Sequence, residues 1–176
     1  MRISGYVAAV ALVFAVTAPE SFAQTASTPT MPADYNFIFQ AAYGGWGDVM
    51  AGQLAPQRSI NPAVLQAAST IVTERTQANQ ELASLAMARG ITPPNGPDPG
   101  WLGAVTILEP MTGRAFDVAY LQAQTEDDVV EIALFTSEAQ SSLDPELRAF
   151  AQKYLPVLQR DYGTLSSLMT SMASAE

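Results

Sequence analysis

The chain has 176 residues, 8 basic and 17 acidic, and its formal charge of −9 disfavours nucleic acid and anionic lipid as partners. Cysteine and histidine are absent, which excludes disulfides, a lipid-anchored cysteine, thiolate or imidazole metal ligands and any ordinary nucleophile–base pair. Stability must come from the apolar core of a single domain, and the length suffices for one.

The first 23 residues read as a secretory signal peptide. Arg2 and the amino terminus are positive, residues 7–16 form an unbroken apolar run of ten, and Ser21-Phe22-Ala23 puts small residues where a signal peptidase reads. A spanning helix needs roughly 20 apolar residues, so the alternative of an uncleaved N-terminal anchor fits less well. No second long apolar run follows. Cleavage removes Arg2 and Glu20 and leaves the charge at −9. The expected product is periplasmic or secreted, without a stable membrane span.

Residues 24–34 are polar and rich in Pro and Thr, the composition of a disordered leader. Asp34 is placed to cap a first helix over residues 35–58, with a seam of Phe37, Ala41, Gly44, Asp48, Ala51 and Ala55. The glycines at 44, 45, 47 and 52 weaken it by up to ~1 kcal/mol each, unless they allow close helix packing. Asn61-Pro62 opens a second helix that runs to Arg89 and stops at Gly90. Its seam is Val64, Ala68, Ile71, Arg75, Ala78, Leu82 and Leu85.

Residues 91–112 hold five prolines, so this stretch begins as loop, and residues 101–109 form a short packing helix. A third long helix spans residues 113–141, with a seam of Phe116, Tyr120, Ala123, Asp127, Val130 and Leu134. Leu121, Gln124, Asp128, Ile132 and Phe135 form a neighbouring seam, so either Asp127 or Asp128 faces the core. Asp144-Pro145 opens the fourth, to residue 172, before a frayed end at 173–176. Its seam is Leu147, Ala151, Tyr154, Leu158, Asp161, Leu165, Leu168 and Met172. Pro156 should bend it.

Two hairpins joined by a long connection predict an all-α, ferritin-like four-helix bundle over residues 35–172. An up-down-up-down order is the alternative if the short helix packs across one end.

Each seam carries a charge near mid-helix: Asp48, Arg75, Asp127 or Asp128, and Asp161, with Glu74 at the rim. Buried charge is costly unless paired. An internal ion-pair layer around the Arg75 fork explains these positions. The competing reading is a site for a hard divalent cation such as Ca²⁺ or Mn²⁺ on the carboxylates, since no imidazole is present for iron or zinc.

Four segments resemble an exported bacterial family, domain-of-unknown-function family 4142, whose members often carry membrane or outer-membrane labels. They are FQAAYGGWGDVMAGQLA, NPAVLQAASTIVTERTQANQELASLA, GRAFDVAYLQAQTEDDVVEIALF and DPELRAFAQKYLPVLQRDYGTL, within residues 37–168. Phe116-Asp117 with Tyr120, and Leu155-Pro156, fit its pattern well. The resemblance implies a ferritin-like four-helix bundle of unestablished activity. Where the family has acid–histidine pairs this chain has Glu74-Arg75 and Asp127-Asp128; Asp161 replaces a further histidine, and Asp48 is kept. The resemblance therefore implies that this member has exchanged imidazoles for opposed charges.

The sequence thus predicts a non-enzymatic structural or interaction protein of the bacterial envelope, linked to stress only by family analogy. No cofactor is expected, and the partner is an unidentified protein of the envelope.

Overall fold

The computed structural model describes residues 32–174, so the expected signal peptide and residues 24–31 of the expected leader lie outside the described residues. Among the described residues there are five helices and no strand. They are α1 (Pro32–Arg58), α2 (Pro62–Ala88), α3 (Pro99–Leu108), α4 (Gly113–Ser141) and α5 (Pro145–Ala173). No helix among these residues is long and apolar enough to cross a membrane.

Local chemistry sets the boundaries. Asn61, Asp98 and Asp144 each accept a hydrogen bond from a backbone N–H in the first turn they cap, with Pro62, Pro99 and Pro145 next in line. At the end of α2, Gly90 takes φ +71°, its N–H reaches the Met87 carbonyl and that of Ile91 reaches the Ala86 carbonyl. This is a Schellman stop, and it needs a residue that tolerates positive φ.

Helix α1 begins three residues earlier than the sequence suggests, so residues 32–34 are helical and not leader. Proline at the first position has no N–H to lose. Asp34 does not cap the helix. It lies buried in the first turn, where its Oδ1 accepts from Ser142 Oγ at 2.8 Å. At the other end α5 extends one residue past the expected stop. It continues without interruption through Pro156, which stands on the exposed face.

The helices form two hairpins, α1 with α2 and α4 with α5, and these pack side by side. Two apolar clusters reveal their directions. One joins Phe37, Ile38, Leu82, Phe135, Leu147 and Phe150. The other joins Ala55, Val64, Leu108, Phe116, Leu121 and Leu165. The first therefore gathers the start of α1, the end of α2, the end of α4 and the start of α5. The second gathers the opposite ends, with α3. Helices α2 and α4 consequently run in the same direction, and the segment between them travels the length of the bundle, with α3 against α1 and α4. Each large side chain in these clusters contributes roughly 1.5–3 kcal/mol by leaving water.

A clip ties the hairpins at the first cluster's end. Arg89, at the end of α2, donates from Nε and Nη2 to both carboxylate oxygens of Asp144, each at 2.6 Å, and Nη2 reaches Glu146 at 2.9 Å. Between the two apolar clusters lies a polar layer.

Candidate functional site

The expected seams of α1, α2 and α5 bring Asp48, Arg75 and Asp161 to the same level, and all three are buried. On α4 the expected seam is displaced. Val130, placed inward by it, is 65 % exposed, while Leu121, Gln124, Asp128, Glu131, Phe135 and Glu138 are buried. These six follow strict three-and-four steps from Leu121, so this face is the true core face. Asp128, not Asp127, meets the guanidinium. Ile132, which the neighbouring seam included in place of Glu131, is only half-buried.

Arg75 uses all three nitrogens. Nε donates to Asp48 Oδ2 at 2.9 Å, Nη1 to Asp161 Oδ2 at 3.0 Å and Nη2 to Asp128 Oδ1 at 3.0 Å. One fork thus joins α2 to the three other long helices. A fourth carboxylate, Glu131 Oε2, stands 3.7 Å from Nε. Behind Asp48, Gln124 Nε2 donates to its Oδ1 at 2.8 Å, and Tyr120 lies against Gln124. Glu74 does not enter the layer. It lies at the rim, bound to Arg160, whose Nη2 also donates to Asp161 Oδ1 at 2.7 Å.

Asp127 occupies a second corner. One oxygen each from Asp48, Asp127 and Glu131 come within 4.8 Å of one another. Asp127 Oδ2 is buried without a hydrogen-bond partner, and so is Asp128 Oδ2. Asp127 and Glu131 also line a groove of about 450 Å³ between α1, α3 and α4, with Tyr43, Trp101 and Leu134 on its walls.

The glycines of α1 make this arrangement fit. A Cβ at Gly44 would overlap Glu131 Oε1 and one at Gly47 would overlap the Trp101 indole. A Cβ at Gly45 would stand 2.6 Å from Asn79 Oδ1. The expectation of close packing at these glycines is met by side chains of α2, α3 and α4 seated on bare backbone.

The layer is electrostatically unbalanced. Four carboxyls stand within 4 Å of Arg75 and Asp127 stands beside two of them, while among the described residues Arg160 adds positive charge at the edge. Burial, with Asp48 and Asp128 adding repulsion, pushes Asp127 up to about 8 despite Arg75 and the nearby indole. Burial and Asp48 lift Asp128 to about 7 even though Arg75 pulls it down. Glu131 is raised well above its usual range by burial and then by Asp48, and burial raises Asp48 itself. Burial would lower Arg75, but Asp48, Glu131, Asp128 and Asp161 together hold it above its ordinary value. The surplus acids hold protons unless another cation is supplied.

The sequence placed Asp48, Arg75, Asp161 and either Asp127 or Asp128 together, and the structure brings Asp128 to the guanidinium. It missed Glu131, Gln124 as the support of Asp48, and Trp101 as the groove wall. The strict heptad from Leu121 was the signal for Glu131 and Gln124. No short pattern marked Trp101, which arrives on a separate helix.

A family model described as Domain of unknown function (DUF4142) matches residues 19–168. No curated protein and no solved structure matches the chain. The family match covers all four long helices up to Leu168 and every member of the charged layer. The chain belongs to the DUF4142 family.

Proposed function

We propose that this protein is an exported, non-enzymatic helical bundle of ferritin-like arrangement, periplasmic or secreted. In this reading a buried ion pair fixes its helices in one register, and the bundle acts by engaging an envelope partner. The observation that carries it is the Arg75 fork, hydrogen-bonded to Asp48, Asp128 and Asp161 on three other helices. A guanidinium held this way specifies alignment more than it adds stability. The lack of histidine and cysteine leaves the bundle without an ordinary nucleophile–base pair.

A second reading rests on the oxygens of Asp48, Asp127 and Glu131, which come within 4.8 Å of one another. An all-oxygen donor set of that size suits a hard divalent cation such as Ca²⁺ or Mn²⁺. Arg75 beside it opposes such an ion, and the surplus of carboxylates favours one.

One set of unfolding measurements addresses both readings. Arg75→Met should cost about 3–5 kcal/mol, because it strands buried carboxylates without a partner. A loss below about 1 kcal/mol would match a solvated pair and would sink the ion-pair reading. Adding Ca²⁺ or Mn²⁺ to the native protein should leave Tm unchanged on the first reading. A rise in Tm that Asp127→Asn abolishes would establish the second.

A further inference from the structure

We propose that the groove between α1, α3 and α4 binds an organic ammonium ion. In this site the charged head rests on Asp127 and Glu131, and the aliphatic body lies along Trp101, Tyr43 and Leu134.

Three independent features converge on that ligand. The first is a buried acid with no donor. Glu131 is 4 % exposed, lines the groove and accepts no hydrogen bond among the described residues. Its nearest cationic nitrogen, Arg75 Nε at 3.7 Å, already donates to Asp48 at 2.9 Å. Asp127 Oδ2, beside it over Gly44, is also buried and unpartnered. Native proteins seldom leave such oxygens unsatisfied. The Trp101 indole stands near Asp127 and Arg75 near Glu131, but neither serves Asp127 Oδ2, and an ammonium brings up to three N–H donors and a positive charge to it and to Glu131.

The second feature is the wall. The Trp101 indole sits directly on Gly47, where any side chain would displace it. Its helix is capped by Asp98, whose Oδ1 accepts from the backbone N–H of Trp101 at 2.9 Å. An aromatic face held beside an acidic floor attracts a cation by its quadrupole and covers apolar carbon at the same time. The third is size. About 450 Å³ is far more than a bare ion needs and falls within the range of small-molecule pockets. Exposed Glu126 at the rim offers a second carboxylate for a diamine.

The groove differs from the divalent-cation reading in its contacts. A metal would need Asp48, which does not line the groove. An ammonium on Asp127 and Glu131 would not.

The test is calorimetric titration of the full mature chain with butylamine, putrescine, butanol and Mn²⁺. The expected result is 1:1 binding of an amine and none of butanol. Asp127→Asn should weaken it at least tenfold, and so should Trp101→Ala, with Trp101→Phe retaining most of the affinity. Glu109→Gln, an exposed residue outside the groove, removes the same charge and should change nothing. Equal weakening by Glu109→Gln and Asp127→Asn would mean diffuse attraction to an acidic surface and overturns the proposal. Binding of Mn²⁺ alone, or of no ligand, also overturns it. Either failure leaves the ion-pair reading intact, because that reading is judged by the stability of Arg75→Met.

Discussion

Asp127 and Asp128 are adjacent and chemically identical, yet their surroundings assign them opposite roles. Asp128 accepts from Arg75 at 3.0 Å, whereas Asp127 Oδ2 is buried with no partner. At neutral pH the unfolded chain would ionise Asp127, and the folded site, which holds it up to about 8, keeps it mostly protonated. At that pH the fold must take up a proton that the open chain has released, which costs stability; asparagine removes the titration, and its amide can donate to a neighbouring carboxylate. Asp127→Asn should therefore stabilise the protein by about 1 kcal/mol in urea unfolding near neutral pH. A loss of stability would show that the carboxylate already has a cation bound to it. Stabilisation by removing a polar residue is the usual sign that the residue serves something other than the fold. The sequence left these two open because both lie on plausible seams one residue apart. Only Glu131, in strict step with Asp128, separates them, and a search for apolar seams passes over it.

Helix boundaries were legible to within a few residues because caps and stops are local: Asn61-Pro62, Asp144-Pro145 and Gly90 each act within one turn. The seams of α1, α2 and α5 were legible for a similar reason, since apolar residues dominate them. The core face of α4 was not, because five of its buried positions are Asp117, Gln124, Asp128, Glu131 and Glu138. In helix α1 the glycines make propensity misleading. Their value lies in what other helices place against them. The same element-level logic separates glycines by surroundings. At Gly44 and Gly47 a Cβ would overlap Glu131 and Trp101, whereas at Gly103 in α3 and Gly163 in α5 it would meet nothing within 4 Å. Alanine is favoured over glycine in a helix by roughly 1 kcal/mol. Gly163→Ala and Gly103→Ala should thus raise stability by about 0.5–1 kcal/mol. Gly47→Ala should lower it by about 1–3 kcal/mol, the usual cost of overpacking. Thermal or chemical unfolding of the variants checks this, and a stabilising Gly47→Ala would contradict the seating of Trp101.

Across the whole molecule, acids outnumber bases and several are buried, so stability depends on pH in a definite direction. Glu138, remote from the Arg75 layer, isolates the effect. It lies buried near the end of α4, where it faces Asp34 of α1 and Asp144 at the start of α5, and its Oε1 has no partner. Burial and then Asp34 push it up to about 7, with the Ser142 hydroxyl pulling against them. Its folded value exceeds the unfolded one, so the fold binds this proton more tightly than the open chain does. The stabilisation is complete below the ordinary carboxyl value and disappears as pH rises through about 7. Asp144 acts in the opposite sense. Burial alone would raise it, but Arg89 and the backbone N–H groups it caps bring it below its ordinary value. Its contribution is present above that value and is lost only on strong acidification. Together they place the greatest stability in mildly acidic solution. Tm should fall as pH is raised from about 5 to about 8, and Glu138→Gln should flatten that slope by about 2–4 °C for each kcal/mol removed. The layer's own raised carboxyls keep part of the slope in the variant. A Tm that rises over the same interval, or a slope unchanged in Glu138→Gln, would mean that Glu138 titrates as a solvated carboxyl and that the end of the bundle is open to water.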